Sequence, residues 1–187
     1  MKSKTARRVA MTITVLRLPI VALFFLWVYT THPPEGFFTA LVLLALVEIT
    51  DMLDGGVARR FGGTSELGAA MDPWSDSISR LTVYSALACV GLTSFALPIV
   101  MAMRDITVSY TRIITVSHGG SAGAYLGGKV KAWVQGVGAF ALLSSPALDW
   151  SNGVQSAISW TVGVVTVLSM TEYIAGVFRV LREQKQG

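Results

Sequence analysis

The sequence predicts an all-α integral membrane protein, a bundle of six transmembrane helices with a short N-terminal juxtamembrane segment. Three observations lead there. Apolar residues make up 52% of the 187 residues and charged residues only 14%, too few charges to cover the surface of a water-soluble domain. The apolar residues fall into six long runs, separated by clusters of Gly, Pro, Asp, Asn and Ser that mark turns. The basic residues gather at alternate ends of those runs, the asymmetry that membrane topology imposes.

Taken in order, residues 1–13 form a basic juxtamembrane segment able to lie along the interface and attract anionic headgroups. The first span runs from about Thr14 to Thr30. Arg17 and Pro19 interrupt its apolar run and no small-x-small site follows Tyr29, so a cleaved signal peptide is not expected. The second span covers Phe37 to Arg59 and the third Glu66 to Leu92. The fourth covers Phe95 to Val116, the fifth, a short one, Lys129 to Leu143, and the sixth Val154 to Leu181. Turn chemistry joins them at residues 32–36, 62–64, 119–121 and 149–153. Without a repeat or a composition break, residues 1–187 read as a single membrane domain with six spans between about 14 and 181.

Charge orients this bundle. Lys2, Lys4, Arg7, Arg8, Arg59, Arg60, Lys129, Lys131, Arg179, Arg182 and Lys185 all fall on one side, and the opposite loops hold only Glu35 and Asp149. Both termini are therefore expected in the cytoplasm. The net charge of +4 follows from this topology and does not call for a nucleic-acid partner. The single cysteine, Cys89, excludes a disulfide framework and a cysteine metal site.

Chemistry concentrates in a 26-residue stretch, DMLDGGVARRFGGTSELGAAMDPWSD, which holds Asp51, Asp54, Asp72 and Asp76. On a helix Asp51, Asp54, Gly55 and Ala58 share one face, and so do Asp72 and Asp76. Two such pairs joined by a glycine-bearing turn can converge, and four like charges cannot stay together uncompensated. Two divalent cations would neutralise them, an arrangement suited to phosphoryl transfer. Gly55, Ala58 and Gly68 would let a diphosphate or a second backbone approach closely.

The spacing Asp51-x2-Asp54-Gly55-x2-Ala58-Arg59-x8-Gly68-x3-Asp72-x3-Asp76 resembles, without a gap, the signature of the CDP-alcohol phosphotransferase family. That resemblance implies a membrane enzyme moving a substituted phosphate from a CDP-linked donor such as CDP-diacylglycerol to an alcohol, with release of CMP. It implies that Asp51, Asp54, Asp72 and Asp76 bind two metal ions, Mg²⁺ or alternatively Mn²⁺, and that Asp76 also deprotonates the acceptor. Gly55, Arg59 and Ser65 would contact the CDP moiety, with Ala58 and Gly68 leaving room for it. Thr14-x2-Arg17 resembles the family's Asn-x2-Thr-x2-Arg segment, with Met11 in the Asn position, so that Thr14 joins the donor site. The family also implies a homodimer in the cytoplasmic membrane, multi-pass, with the active site facing the cytoplasm.

Ionisable residues inside spans are costly and point to function; here they are Arg17, Glu48, Arg80, Arg104, Asp105, Arg112 and Glu172. Arg80 follows Asp76 by four residues and Glu48 precedes Asp51 by three, positions suited to ion pairing. Arg104 and Arg112, eight apart on one helix, lie near one face, and Lys129 and Lys131 follow a glycine-rich loop. These four are the candidate site for a phosphate on the acceptor. Gly128-Lys129-Val130-Lys131-Ala132-x2-Gln135 resembles the GKxKTxxQ stretch of the phosphatidylglycerophosphate synthase branch, and Arg104-Asp105 stands where that branch carries Arg-Glu. Glycerol 3-phosphate is the acceptor this favours; inositol phosphate, serine or an archaeal lipid pairing are alternatives within the family. Outside it stands a divalent-cation transporter, against which the acids cluster at one face with no acidic path across the outer half.

Overall fold

The computed structural model describes the backbone of residues 2–60, 66–118 and 126–184, and their side chains except those of 2–15, 53–60, 66–72, 126, 179, 181, 183 and 184. The described residues form six α-helices: α1 (Lys2–Thr31), α2 (Phe37–Arg60), α3 (Glu66–Cys89), α4 (Ala96–Ser117), α5 (Leu126–Ser144) and α6 (Asn152–Gln184). No strand occurs among the described residues. Each expected helix is present. The juxtamembrane segment and the first span form one continuous helix, and α5 starts at Leu126, three residues before the expected start. Pro19 lies within α1 and Pro73 within α3; neither ends its helix, as is common where neighbouring helices support the freed carbonyls.

Helix α1 packs on α2 and α3, and α6 packs on α4 and α5; α3 with α4 and α5, and α2 with α5, join the two trios. The inward stripes follow helical spacing: Val21, Phe24 and Val28 on α1, Ala40, Leu44 and Val47 on α2, Val83, Tyr84 and Leu87 on α3, all buried. Close approach is steric in origin. At Gly138 on α5, a Cβ would come within 2.6 Å of Val162 Cγ2 on α6 and 2.9 Å of Tyr84 Oη on α3, so only glycine lets these three helices meet.

Continued by one or two turns, every stripe becomes polar. Arg17 extends that of α1, Asp51 that of α2, and Asp76 and Arg80 that of α3. Met101 leads to Arg104 on α4, Ala139 back to Gln135 and Lys131 on α5, and Val162 to Thr166, Ser169 and Tyr173 on α6. The interior is thus apolar at one end and charged at the other.

The outer surface reverses the soluble pattern. Phe38, Trp133 and Trp160 are 80%, 69% and 74% exposed while Arg17 is 0% exposed, and large apolar side chains face outward on all six helices. Among the described residues one stretch, Asn152–Phe178, is by itself long and apolar enough to cross a membrane, and Leu16–Thr31 is a shorter apolar stretch.

Candidate active site

Where the stripes of α1, α2 and α3 turn polar, Arg80 holds three carboxylates. Its Nε donates to Asp76 Oδ1 at 3.1 Å, its Nη1 to Glu48 Oε1 at 3.3 Å and its Nη2 to Glu48 Oε2 at 3.4 Å. Nη2 also lies 3.6 Å from Asp51 Oδ2, and Arg17 Nη1 lies 2.9 Å from Asp51 Oδ1. Both guanidinium groups are buried, but the acids are not sealed: Glu48, Asp51 and Asp76 keep side-chain exposures of 23%, 30% and 33%. The i,i+4 pairing of Asp76 with Arg80 follows from the sequence. The convergence of Glu48 and Asp51 on the same guanidinium needs the packing of α2 on α3.

Asp51 and Asp76 are thereby brought to one place from different helices. The backbones of Asp54 and Asp72 lie on α2 and α3, but their side chains are outside the described residues. Beyond their helical backbone, Thr14, Gly55, Ala58, Arg59 and Gly68 are likewise outside, and Ser65 is outside altogether. Among the described residues no three His, Cys, Asp or Glu side chains are grouped to hold a metal ion. The donors present are hard carboxylate oxygens, the type that suits Mg²⁺.

A second network lies across the bundle. Asp105 Oδ1 accepts from Arg104 Nη1 at 2.9 Å and from Lys131 Nζ at 3.3 Å, and Ser77, next to Asp76, lies near Asp105. Arg104 Nε donates to Ser169 Oγ at 3.0 Å and Arg112 Nη2 to Tyr173 Oη at 3.0 Å. Both guanidinium groups stand over the Tyr173 ring, at 5.4 and 5.2 Å from its centroid. Eight residues along α4 return Arg112 to the face of Arg104, as the spacing implied.

The two lysines do not stay together. Lys131 is buried on Asp105, whereas Lys129 is exposed and makes no ion pair among the described residues. Residues i and i+2 of a helix point away from each other, so the expected cluster of four cations contracts to Arg104, Arg112 and Lys131. The α6 partners Ser169 and Tyr173 were not among the expected site residues. Their signal was available: Thr166, Ser169, Glu172 and Tyr173 put polar atoms on one face of an otherwise apolar helix.

A cavity of about 310 Å³ opens beside the first network. Glu48, Asp51 and Arg80 form its charged floor, and Met52, Trp133 and Val137 its apolar wall. A larger cavity of about 560 Å³ lies at the other end of the bundle, between the α3–α4 turn and the start of α6, and no ionisable side chain among the described residues lines it.

The CDP-alcohol phosphatidyltransferase family model matches residues 7–169, most of the chain and all the charged residues just described except Glu172; Tyr173 also lies outside it. The chain belongs to the CDP-alcohol phosphatidyltransferase family. Within it, the chain is similar to a probable phosphatidylglycerophosphate synthase of Mycobacterium tuberculosis (strain ATCC 25618 / H37Rv), 29% identical over 171 residues that cover 89% of this chain and 80% of that protein. A CDP-diacylglycerol–glycerol-3-phosphate 3-phosphatidyltransferase of Treponema pallidum (strain Nichols) is 27% identical over 191 residues, covering 90% of this chain and 88% of that protein. A human cardiolipin synthase (CMP-forming) is 28% identical over 144 residues, 67% of this chain and 48% of that protein. As a CDP-alcohol phosphatidyltransferase, the chain carries its charged networks at the end of the bundle where the family's aspartate signature lies.

Proposed function

We propose that this CDP-alcohol phosphatidyltransferase transfers the phosphatidyl group of CDP-diacylglycerol to glycerol 3-phosphate and releases CMP, acting as a multi-pass membrane protein with six spans and a cytoplasmic site. The outward apolar side chains and buried arginines support the six spans, and the one-sided Lys and Arg support the orientation. The cavity beside Asp51 suits a lipid donor: acyl chains can lie along Met52, Trp133 and Val137 while the diphosphate meets the charged floor.

The observation that carries the acceptor assignment is the charge of the second network. Among the described residues three cations, Arg104, Arg112 and Lys131, share one acid in ion-pair contact, Asp105. The surplus of positive charge matches a phosphomonoester, which carries close to two negative charges at neutral pH. A neutral or zwitterionic alcohol does not need it. The names of the Mycobacterium and Treponema relatives support the same acceptor.

In the reaction the acceptor hydroxyl attacks the phosphorus that bears diacylglycerol. The new P–O bond forms as the phosphoanhydride P–O bond to CMP breaks, and the hydroxyl proton passes to Asp76. Arg80 fixes the Asp76 carboxylate for this through its 3.1 Å contact. Asp51, Asp54, Asp72 and Asp76 would hold two Mg²⁺ ions, which when bound neutralise the diphosphate and the departing CMP. No Cys or His stands within the aspartate stretch, Asp51 to Asp76, to serve as a covalent nucleophile, which favours direct displacement. The protein acts as a homodimer on this reading.

An acceptor screen tests it. Purified protein with CDP-diacylglycerol should release CMP with glycerol 3-phosphate, and not with serine or free inositol. Release with inositol phosphate alone would move the acceptor within the phosphorylated class. Release with serine or free inositol but with no phosphorylated alcohol would overturn the assignment.

A further inference from the structure

We propose that Tyr173 is the positioning residue of the acceptor site: its ring and hydroxyl hold Arg112 beside Arg104 for a phosphate without cancelling the charge of Arg112. The inference rests on the phosphorylated-alcohol reading above and adds a residue from α6, outside the segment matched by the family model.

Buried arginines need partners, and the partner chosen decides what remains for a ligand. Arg17, Arg80 and Arg104 meet carboxylates, as does Lys131. A carboxylate orients a cation but also satisfies it, lowering its attraction for an incoming anion. Arg112 differs: among the described residues it has no carboxylate in ion-pair contact, and its partner is the Tyr173 hydroxyl at 3.0 Å. The same ring lies 5.2 Å from the Arg112 guanidinium carbon and 5.4 Å from that of Arg104. An aromatic face attracts a cation through its quadrupole, so the ring can hold two like charges near one another with no net charge of its own. Among the described residues Arg112 Nε is buried with no hydrogen-bond partner, which leaves one of its donors open. An anion with several acceptor oxygens is the ligand such a pair fits.

Helix α6 supports this geometry from three successive positions on one face. Ser169 accepts from Arg104 Nε at 3.0 Å. Glu172 accepts the Gly127 N–H at 2.9 Å, satisfying one of the open donors in the first turn of α5 with a charge that suits the helix dipole. Tyr173 itself is buried and touches both arginines. The start of α5 is drawn so close that a Cβ at Gly128 would lie 3.0 Å from Tyr173 Oη and 3.8 Å from Arg104 Nη2. This gives a steric reason for glycine ahead of Lys129 and Lys131. The α6 face therefore fixes the arginines on α4 and the first turn of α5 relative to each other.

Two variants separate ring from hydroxyl. Tyr173→Phe keeps the aromatic face and loses the hydrogen bond; Tyr173→Leu loses both. With the full chain in detergent and glycerol 3-phosphate as acceptor, the acceptor KM should rise about fivefold in Tyr173→Phe and about fiftyfold in Tyr173→Leu. The KM for CDP-diacylglycerol should stay within about twofold in both. A merely structural tyrosine would instead lower the yield of monodisperse protein and alter both KM values together, and that result would overturn the proposal. Should Tyr173→Leu fail to fold, Tyr173→Phe and Ser169→Ala carry the same acceptor-against-donor comparison. Binding of inorganic phosphate, measured by calorimetry without donor, keeps this test apart from that of the reaction. If wild-type protein binds phosphate and Tyr173→Leu binds it much more weakly, the positioning role stands even if the turned-over alcohol proves to be another. Equal phosphate affinity in the two proteins, or none in either, would refute it.

Discussion

Replacing Arg80 with methionine is the sharpest probe of the charged end of the bundle. The substitution keeps a long side chain and removes the guanidinium that touches Glu48, Asp51 and Asp76. Removing one partner of a buried ionic network costs about 3–5 kcal/mol. The structure indicates which end of that range applies. The three acids are 23%, 30% and 33% exposed, and Asp51 retains Arg17 at 2.9 Å. Water can therefore rehydrate what Arg80 leaves behind, and the loss should lie near the lower end, about 3 kcal/mol, roughly a hundredfold in the folding equilibrium. Glu48→Gln removes one of the stranded acids, so the double variant should lose less than the two single variants together, by about 0.5–3 kcal/mol. Unfolding in detergent micelles, followed by tryptophan fluorescence, measures all four proteins. Additive losses, or an Arg80→Met protein as stable as wild type, would refute the hub.

The remaining expectations are as direct. CMP release should vanish in excess chelator and return with Mg²⁺ or Mn²⁺, and Asp51→Asn should lose nearly all turnover; full activity in chelator would remove bound cations from the reaction. Asp76→Asn should lower turnover more than donor affinity, because a general base acts on the chemical step; equal losses would leave Asp76 a ligand only. After Cys89, which is exposed, is replaced by serine, cysteines at Ser3 and Gln186 should resist impermeant reagents in intact cells, while one at Glu35 or Asn152 should react. Labelling at Ser3 from outside would overturn the six-span orientation. Gly138→Ala puts a methyl 2.6 Å from Val162 Cγ2 and 2.9 Å from Tyr84 Oη, an overpacking that should cost about 1–3 kcal/mol; an unchanged melting midpoint would contradict the close approach of α5 to α6.

The helices were legible because long apolar runs broken by Pro and Gly leave little choice of element, and their ends came within a few residues except at α1, which starts at Lys2 and not near Thr14. The Asp76–Arg80 pair was legible for a local reason, one helical turn. What could not be read was any pairing that depends on how helices pack: Arg17 on Asp51, 34 residues away in the chain, or Ser169 on Arg104, 65 residues away. The lysine pair failed in the opposite direction. Lys129 and Lys131 are adjacent in motif terms, so resemblance grouped them, but the helical rotation between them sends one to the surface and one to Asp105. Tyr173 escaped because a neutral aromatic in an apolar helix looks like packing until the cations on its face are seen.

The two networks also explain each other. Around Arg80, among the described residues, three acids outnumber two guanidinium groups. Around Asp105, cations outnumber the acid. The join is at adjacent residues of α3, since Asp76 faces Arg80 while Ser77 lies near Asp105. A site with opposite surpluses on its two sides cannot hold both substrates in the same way. On the proposed reaction, the negative side takes the donor's diphosphate through cations, and the positive side takes the acceptor's phosphate directly. The acceptor's reactive hydroxyl must then reach across to Asp76 while its phosphate stays behind with Arg112. An alcohol lacking that second anionic group would have no anchor at the far side, so its hydroxyl would be poorly held even when the donor is bound. Selectivity among alcohols, on this argument, resides less in contacts to the hydroxyl than in the uncancelled charge that Tyr173 leaves on Arg112 beside it.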